Sequence, residues 1–237
     1  MEVGSCKRER FKEALIESMP IVLGYFPIAM AFGLLSKNTS LSLRDTSLLS
    51  AIVYAGASQF MALDLISAGV NPPSIVLAIF LLNIRHMMMS ASLSVEFKNI
   101  PKKFLPLLGG GVTDETFSVV SFNKDKIDLI YVSTIFLMAY LSWNIGTIAG
   151  YFVGEILPES LQASLSIGLY AMFAALLFPE VKKSKNTLAI FFISGILYAV
   201  LYYSKLFASG WDIILAIIIA SALGVLIFDH KEEERES

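Results

Sequence analysis

Residues Phe104–Phe122 read FLPLLGGGVTDETFSVVSF, an apolar stretch that holds two adjacent acids, Asp114 and Glu115, at its middle. A second apolar stretch, nearer the N-terminus, holds Arg85 and His86 at its middle. An ionised Arg or Asp at the centre of a membrane helix costs roughly 2.5–3.5 kcal/mol. Charges of both signs at such positions therefore predict that something charged or polar binds or crosses there.

The composition places these charges in a membrane protein. The 237-residue chain is 56% hydrophobic and 16% charged, whereas soluble domains carry about 25% charged residues. The charges fall in short clusters between apolar runs that are long enough to span a hydrocarbon core, which takes roughly 20 helical residues. The sole cysteine, Cys6, cannot form an internal disulfide. The predicted fold class is an all-α polytopic membrane protein.

The apolar runs predict about eight transmembrane helices, or seven if the fourth segment dips into the membrane and returns. Residues 1–18 are expected to lie at the cytoplasmic surface, residues 19–229 to form one transmembrane domain, and residues 230–237 to form a charged cytoplasmic tail. Because more Lys and Arg residues fall in the loops on the N-terminal side, both termini are predicted to be cytoplasmic. The spans are predicted at about 20–36, 46–69, 74–95, 104–122, 127–153, 161–180, 187–206 and 210–229.

A weak internal repeat relates residues 20–95 to residues 104–180 at an offset of 85 positions, followed by two plain spans at 187–229. Three spans per half would invert the second half relative to the first, a common build of secondary transporters with the site at the midplane. The alternative is that two apolar helical hairpins simply look alike. The repeat predicts a broken first helix in each half, with the breaks at Gly24, Pro27, Gly109, Gly110 and Gly111.

Arg85 lies too far from either interface for its head group to reach water easily. It therefore needs a carboxylate, a water-filled cavity or an anionic ligand, and Asp114 and Glu115 are the predicted partners. Adjacent helical residues point about 100° apart, so only one acid can face Arg85. The other acid would then be available to bind and release a proton. A static ion pair that only orders the helices is the alternative, and His86 is either a structural group or a proton carrier.

Polar residues at mid-depth on the neighbouring spans complete the candidate site. Gln59 and Asn144, which the repeat superimposes, are predicted to line a polar cavity, with helix packing as the alternative. The predicted substrate- and ion-binding residues are Ser58, Gln59, Asn83, Arg85, His86, Thr113, Asp114, Glu115, Trp143 and Asn144.

Common enzyme and cofactor motifs are not found in the sequence. There is no Walker A sequence, dinucleotide-binding glycine pattern, zinc spacing or nucleophile elbow. One mid-span histidine with scattered acids does not make a metal site. We therefore predict no catalytic residue, metal or cofactor, and no binding of nucleic acid.

Four motifs in order resemble the AzlC family of membrane proteins, the large subunits of branched-chain amino-acid exporters. The motifs are YAGASQF at 54–60, NIRH at 83–86, TDETF at 113–117 and SWNIGT at 142–147. The resemblance covers roughly residues 10–229, and Asn144 departs from the apolar residue expected at its position.

The resemblance implies export of leucine, valine, isoleucine or related amino acids across a bacterial-type plasma membrane, with a small AzlD-like membrane partner. Gly146, Gly150 and Gly154 recur at a spacing that suits close helix packing, against that partner or within the chain.

Together these features predict a secondary transporter that exports branched-chain or related amino acids, with the proton as the predicted coupling ion. Arg85 would hold the substrate carboxylate or Asp114, and one of the two acids would carry the proton. The alternative is the membrane subunit of an ATP-driven transporter. A third possibility is a passive channel or an intramembrane enzyme.

Overall fold

A computed structural model describes residues 2–153, 158, 160, 167, 174, 178, 181, 182, 184–205 and 211–228. Every regular element in these residues is helical. The α-helices are α1 (Glu2–Asn38), α2 (Leu43–Leu48), α3 (Gly56–Ser67), α4 (Pro72–Ser94), α5 (Leu105–Gly110), α6 (Asp114–Phe122), α7 (Leu129–Val153), α8 (Lys185–Ser204) and α9 (Trp211–Phe228). The predicted sixth span, about 161–180, lies largely outside the described residues, and the tail at 230–237 lies wholly outside them.

The chain divides into two compact units, Met1–Leu63 with Leu82–Leu169, and Asp64–Leu81 with Tyr170–Ser237. The second unit contains α8 and α9, which pack against each other. A Cβ added to Gly224 would lie 3.2 Å from Ile190 Cδ1, so the small residue permits this packing. The first unit contains every residue of the candidate site.

Four helices are long and apolar enough to cross a membrane: Lys7–Asn38, Pro72–Ser94, Leu129–Val153 and Lys185–Ser204. The apolar part of α9 is shorter. The second and fourth predicted spans are each divided between two short helices, α2 with α3 and α5 with α6. Within the described ranges, four continuous helices therefore meet the length and composition of a span, where the hydropathy pattern predicts eight.

The centre of the first unit is the long contact between α1 and α7, which depends on glycine. A Cβ on Gly146 would lie 2.7 Å from the Phe26 carbonyl oxygen, and one on Gly150 would collide with the Met30 backbone. Gly33 meets the backbone of α7 in the same way. Gly146 and Gly150 thus pack within the chain and not on a partner, while Gly154 lies outside the described residues.

The predicted break of the first span at Gly24 and Pro27 is wrong, because α1 is one continuous helix from Glu2 to Asn38. Pro20, Gly24 and Pro27 are all exposed, while Tyr25 and Ala29 on the opposite face are buried. Each proline removes one backbone hydrogen bond. The packing of the buried face along α7 keeps the helix regular in spite of this loss. Only the second half of the proposed repeat begins with a broken helix, and the repeat itself stays a prediction.

The second predicted span, about 46–69, contains a break that the sequence does not signal. α2 continues into a π-helical turn, Leu49–Val53, and Tyr54 then adopts a left-handed conformation, with φ 41° and ψ 45°, before α3 begins. This conformation is uncommon for a large residue and needs support from its surroundings. α7 supplies it, because the Tyr140 hydroxyl donates to the Ala51 carbonyl oxygen at 3.0 Å. The Tyr54 and Tyr140 rings also pack edge to face, 4.9 Å apart.

Charged groups tie α1 to the segment that precedes α7. Lys126 Nζ lies 2.5 Å from Glu17 Oε1, and the Tyr131 hydroxyl donates to the other Glu17 oxygen. Lys124, in the same short turn, pairs with Glu96 beyond the end of α4 at 2.6 Å. The hydrogen bond to Glu17 raises the pKa of Lys126, so the Glu17–Lys126 bridge is charged at neutral pH.

Candidate functional site

The start of α6 carries the two acids. Thr113 caps the helix: its Oγ1 accepts a hydrogen bond from the Thr116 amide at 3.3 Å, and its own amide donates to Thr116 Oγ1 at 2.8 Å. Asp114 and Glu115 occupy the first turn, where the helix dipole favours negative charge. The preceding glycines end α5 at Gly110, so the predicted break in the fourth segment is present and places both acids at a helix start.

Asp114 is the acid that faces Arg85. Its Oδ2 lies 3.0 Å from Arg85 Nη2, and the two side chains are 29% and 39% exposed. Arg85 Nε is buried and has no hydrogen-bond partner in the described part of the chain. His86, the next residue of α4, is half-buried.

Glu115 has a different partner, the Tyr25 hydroxyl of α1. Tyr25 Oη lies 2.5 Å from Glu115 Oε2 and 2.7 Å from Thr113 Oγ1. An ionised carboxylate only accepts hydrogen bonds, whereas a protonated one can also donate. Tyr25 can therefore hold Glu115 in either protonation state. No ion pair to Glu115 is found among the residues that the structure describes.

Trp143 of α7 connects this group to the start of α3. Its Nε1 donates to Gln59 Oε1 at 2.9 Å, and its ring packs edge to face on Tyr25, 5.3 Å between centroids. A Cβ on Gly56 would lie 2.7 Å from the Trp143 ring, so only glycine lets α3 begin at this distance. The first turns of the two interrupted segments, α3 and α6, thus meet at the Tyr25–Trp143 pair.

Of the remaining predicted residues, Ser58 and Asn83 bond to each other, whereas Asn144 bonds within its own helix. Ser58 Oγ donates to Asn83 Oδ1 at 2.6 Å and joins α3 to α4. Asn144 donates to the Tyr140 carbonyl oxygen of its own helix at 2.9 Å and makes no hydrogen bond to another described element. Gln59 and Asn144 occupy matching positions of the proposed repeat, but their contacts differ. Gln59 accepts a hydrogen bond from Trp143, on another helix.

Two tyrosines of this site are absent from the residues predicted from the sequence. Tyr25 and Tyr54 are each 6% exposed. The available signal was a tyrosine in the middle of an apolar helix, because its hydroxyl needs a polar partner when buried. A buried tyrosine does not by itself indicate which residue its hydroxyl binds, because Tyr25 and Glu115 are 90 positions apart in the sequence. Among the described residues no group of His, Cys, Asp and Glu could hold a metal ion.

The two adjacent acids have different kinds of partner. The Arg85–Asp114 pair balances its own charge across α4 and α6. Glu115 is held instead by the hydroxyl of a neutral phenol. Tyr25 and Trp143 add an aromatic surface beside it.

Comparisons with known proteins agree with the four sequence motifs. The family model described as AzlC protein matches residues 20–157. A membrane protein of Archaeoglobus fulgidus is 33% identical over 74% of this chain and 78% of its own length. The inner membrane protein YgaZ of Escherichia coli is 29% identical, covering 92% and 90% of the two chains. The branched-chain amino acid transport protein AzlC of Bacillus subtilis is 25% identical, covering 95% and 87%.

No solved structure gives a significant match to the chain. The family match covers more than half of the 237 residues and agrees with the relatives that span most of the chain. The chain belongs to the AzlC family.

Proposed function

We propose that the chain is the large subunit of a secondary transporter that exports branched-chain or related amino acids in exchange for protons. The family and the name of the Bacillus subtilis relative support an amino-acid substrate. Four helices of spanning length support a membrane location. The proposed location is the plasma membrane, with the N-terminus in the cytoplasm.

The observation that carries the proposal is the different pairing of two adjacent acids. Asp114 is neutralised by Arg85, whereas the side-chain partner of Glu115 in the described part of the chain is the uncharged Tyr25 hydroxyl. A coupling residue must change its charge during each cycle. Glu115 can do so at little structural cost, because the Arg85–Asp114 pair stays intact.

Exchange follows from competition at this one carboxylate. A zwitterionic amino acid carries an ammonium group, which binds an ionised carboxylate through charge-assisted hydrogen bonds. A protonated Glu115 offers no such charge. Proton and substrate therefore exclude each other at Glu115, and a proton that enters on one side displaces a substrate that leaves on the other. This coupling drives export when the outside is acidic.

A small AzlD-like partner is part of the proposal. The C-terminal part of α4 exposes Ile84, Met87 and Met88 around Arg85, at 38%, 65% and 71%. In a membrane such a face contacts lipid or another subunit, and the partial exposure of Arg85 favours a protein neighbour on this side.

The test is transport in vesicles that contain the chain with its small partner and labelled leucine inside. An acidic step outside should accelerate leucine efflux without ATP, which would not happen with an ATP-driven permease. Counterflow at equal pH measures binding and reorientation alone. Glu115→Gln should lose pH-driven efflux, since the amide cannot exchange a proton, and should weaken counterflow, since the amide offers no charge to the substrate ammonium group. Asp114→Asn should impair both activities, because Arg85 loses its partner.

Asp125→Asn is the matched control, since Asp125 lies in the short turn before α7 and outside the site. It should keep both activities. Wild-type pH-driven efflux by the Glu115→Gln variant would remove Glu115 from the coupling mechanism. Absence of leucine counterflow in every preparation would instead contradict the proposed substrate class.

A further inference from the structure

The break between α2 and α3 presents a helix start inside the first unit. The chain turns at Tyr54 and Ala55, and the twelve-residue helix α3 begins at Gly56. The first amide N–H groups of a helix have no partner within the helix, and the dipole makes this end positive. Such an end favours an anionic group. By itself it does not define a site, because every helix has one.

Two buried side chains at this position, Tyr54 and Gln59, have hydrogen-bond donors that no described residue accepts. Gln59 is 0% exposed, and its Nε2 has no partner among the described residues although its Oε1 is held by Trp143. Tyr54 is 6% exposed, and its hydroxyl also has no partner in this part of the chain. Buried donors are nearly always paired in native proteins, so two unpaired donors beside one helix start require an explanation.

Both donors belong to the group that contains Glu115. Gln59 and Gly56 contact the Trp143 ring, which packs on Tyr25, the hydrogen-bond partner of Glu115. The Tyr25–Trp143 pair therefore connects the start of α3, at Trp143, to Glu115, at Tyr25.

We propose that the start of α3, with the Tyr54 hydroxyl and Gln59 Nε2, is the subsite for the substrate α-carboxylate. The inference rests on the proposed function, in which Glu115 binds the substrate ammonium group. The two charged groups of a zwitterionic amino acid then have separate, complementary partners. Arg85 is the competing carboxylate site, but Asp114 already neutralises its charge.

The subsite has a consequence for selectivity. Compounds that lack the carboxylate, such as leucinamide or 3-methylbutylamine, keep the ammonium contact and lose the contacts at α3. They should bind more weakly than leucine. A site built to hydrogen-bond a substrate group rejects analogues without that group strongly, because its own donors are then left unpaired.

The experiment is a competition assay on the purified chain with its partner, with labelled leucine displaced by unlabelled leucine or leucinamide. We expect Tyr54→Phe to weaken leucine binding about tenfold while leucinamide changes little, the effect of one hydrogen bond to a charged group. Gln59→Glu keeps the acceptor for Trp143 but adds a negative charge, so it should abolish the preference for leucine over leucinamide. The readout is a ratio of two ligands on one preparation, so loss of folded protein does not move it.

Tyr151→Phe is the matched control, because the Tyr151 hydroxyl donates to the Leu41 carbonyl oxygen, outside the start of α3. It should leave the ratio unchanged. A wild-type ratio in both Tyr54→Phe and Gln59→Glu would overturn the subsite, and loss of the preference in Arg85→Gln alone would move it to Arg85. Equal binding of leucine and leucinamide by the wild-type protein would also overturn it, while leaving amino-acid transport intact. No leucine binding at all would overturn the proposed function and the subsite with it.

Discussion

Glu115 and Tyr25 are 90 positions apart in the sequence, yet Oε2 of the first lies 2.5 Å from Oη of the second. This contact joins α6 to α1 and leaves the neighbouring Asp114 to Arg85 of α4. The two adjacent carboxylates therefore have different partners: Asp114 pairs with a charged arginine, and Glu115 with a neutral tyrosine.

The first prediction concerns the Tyr25 hydroxyl. Tyr25→Phe keeps the ring against Trp143 and removes the hydrogen bond to Glu115. We expect pH-driven leucine efflux to fall about tenfold, because one hydrogen bond to a charged group is lost, with counterflow much less affected. Tyr151→Phe is the control, since that hydroxyl donates to the Leu41 carbonyl oxygen away from the site. Equal losses in the two variants would show that the hydroxyl acts only through stability.

The second prediction concerns the identity of the cation at position 85. Arg85→Lys retains the charge but replaces a planar, forked donor with a single point charge. We expect folded protein in normal yield and transport reduced at least tenfold. Arg44→Lys, on α2 and outside the site, should transport normally. Transport at the wild-type rate by Arg85→Lys would mean that only the charge is needed.

Removal of the same cation tests whether the ion pair has a structural role. Arg85→Ala leaves Asp114 unpaired, which in a fully buried pair costs roughly 3–5 kcal/mol. The double variant Arg85→Ala, Asp114→Ala should recover thermal stability but not transport. Recovery of transport by the double variant would make the pair purely structural.

The fourth prediction compares two glycines of the long helices. Gly150→Ala should destabilise the protein by about 1–3 kcal/mol, because the new Cβ meets the Met30 backbone and α1 and α7 must separate. Gly24→Ala should be neutral or stabilising by up to about 1 kcal/mol, since no heavy atom lies within 4 Å of the added Cβ. Thermal unfolding in detergent measures both. Loss of transport in Gly24→Ala without loss of stability would indicate a functional bend in α1 after all.

The fifth prediction concerns pH and the Glu17–Lys126 bridge. Glu17 raises the pKa of Lys126 from 10.5, so the contribution of the bridge to stability is complete between neutral pH and pH 10.5 and declines as the pH rises through the higher folded value. Lys126→Met should lower the melting temperature by the same amount at pH 6 and pH 9. The difference should shrink at more alkaline pH and at high salt. A difference that varies between pH 6 and pH 9 would contradict this assignment.

Several features of the site were predictable because they depend on local properties of the chain. Three consecutive glycines followed by Thr113 indicate a helix end and a new start, and the structure has that break. The angle between adjacent helical residues predicts that only one acid meets Arg85. Neither argument distinguishes Asp114 from Glu115, because the answer depends on which residue of another helix lies opposite.

The sequence by itself determined the helical class, the apolar segments and the set of polar residues from which the site is built, since hydropathy, glycine content and the cost of buried charge act locally. Only the tertiary structure decided that α1 continues through Pro20 and Pro27, because the glycines of α7 hold its other face. The tertiary structure also decided the break at Tyr54. There the Tyr140 hydroxyl donates a hydrogen bond to the Ala51 carbonyl oxygen of the interrupted helix. Such contacts join residues about 90 positions apart, and no local pattern specifies which of them will meet.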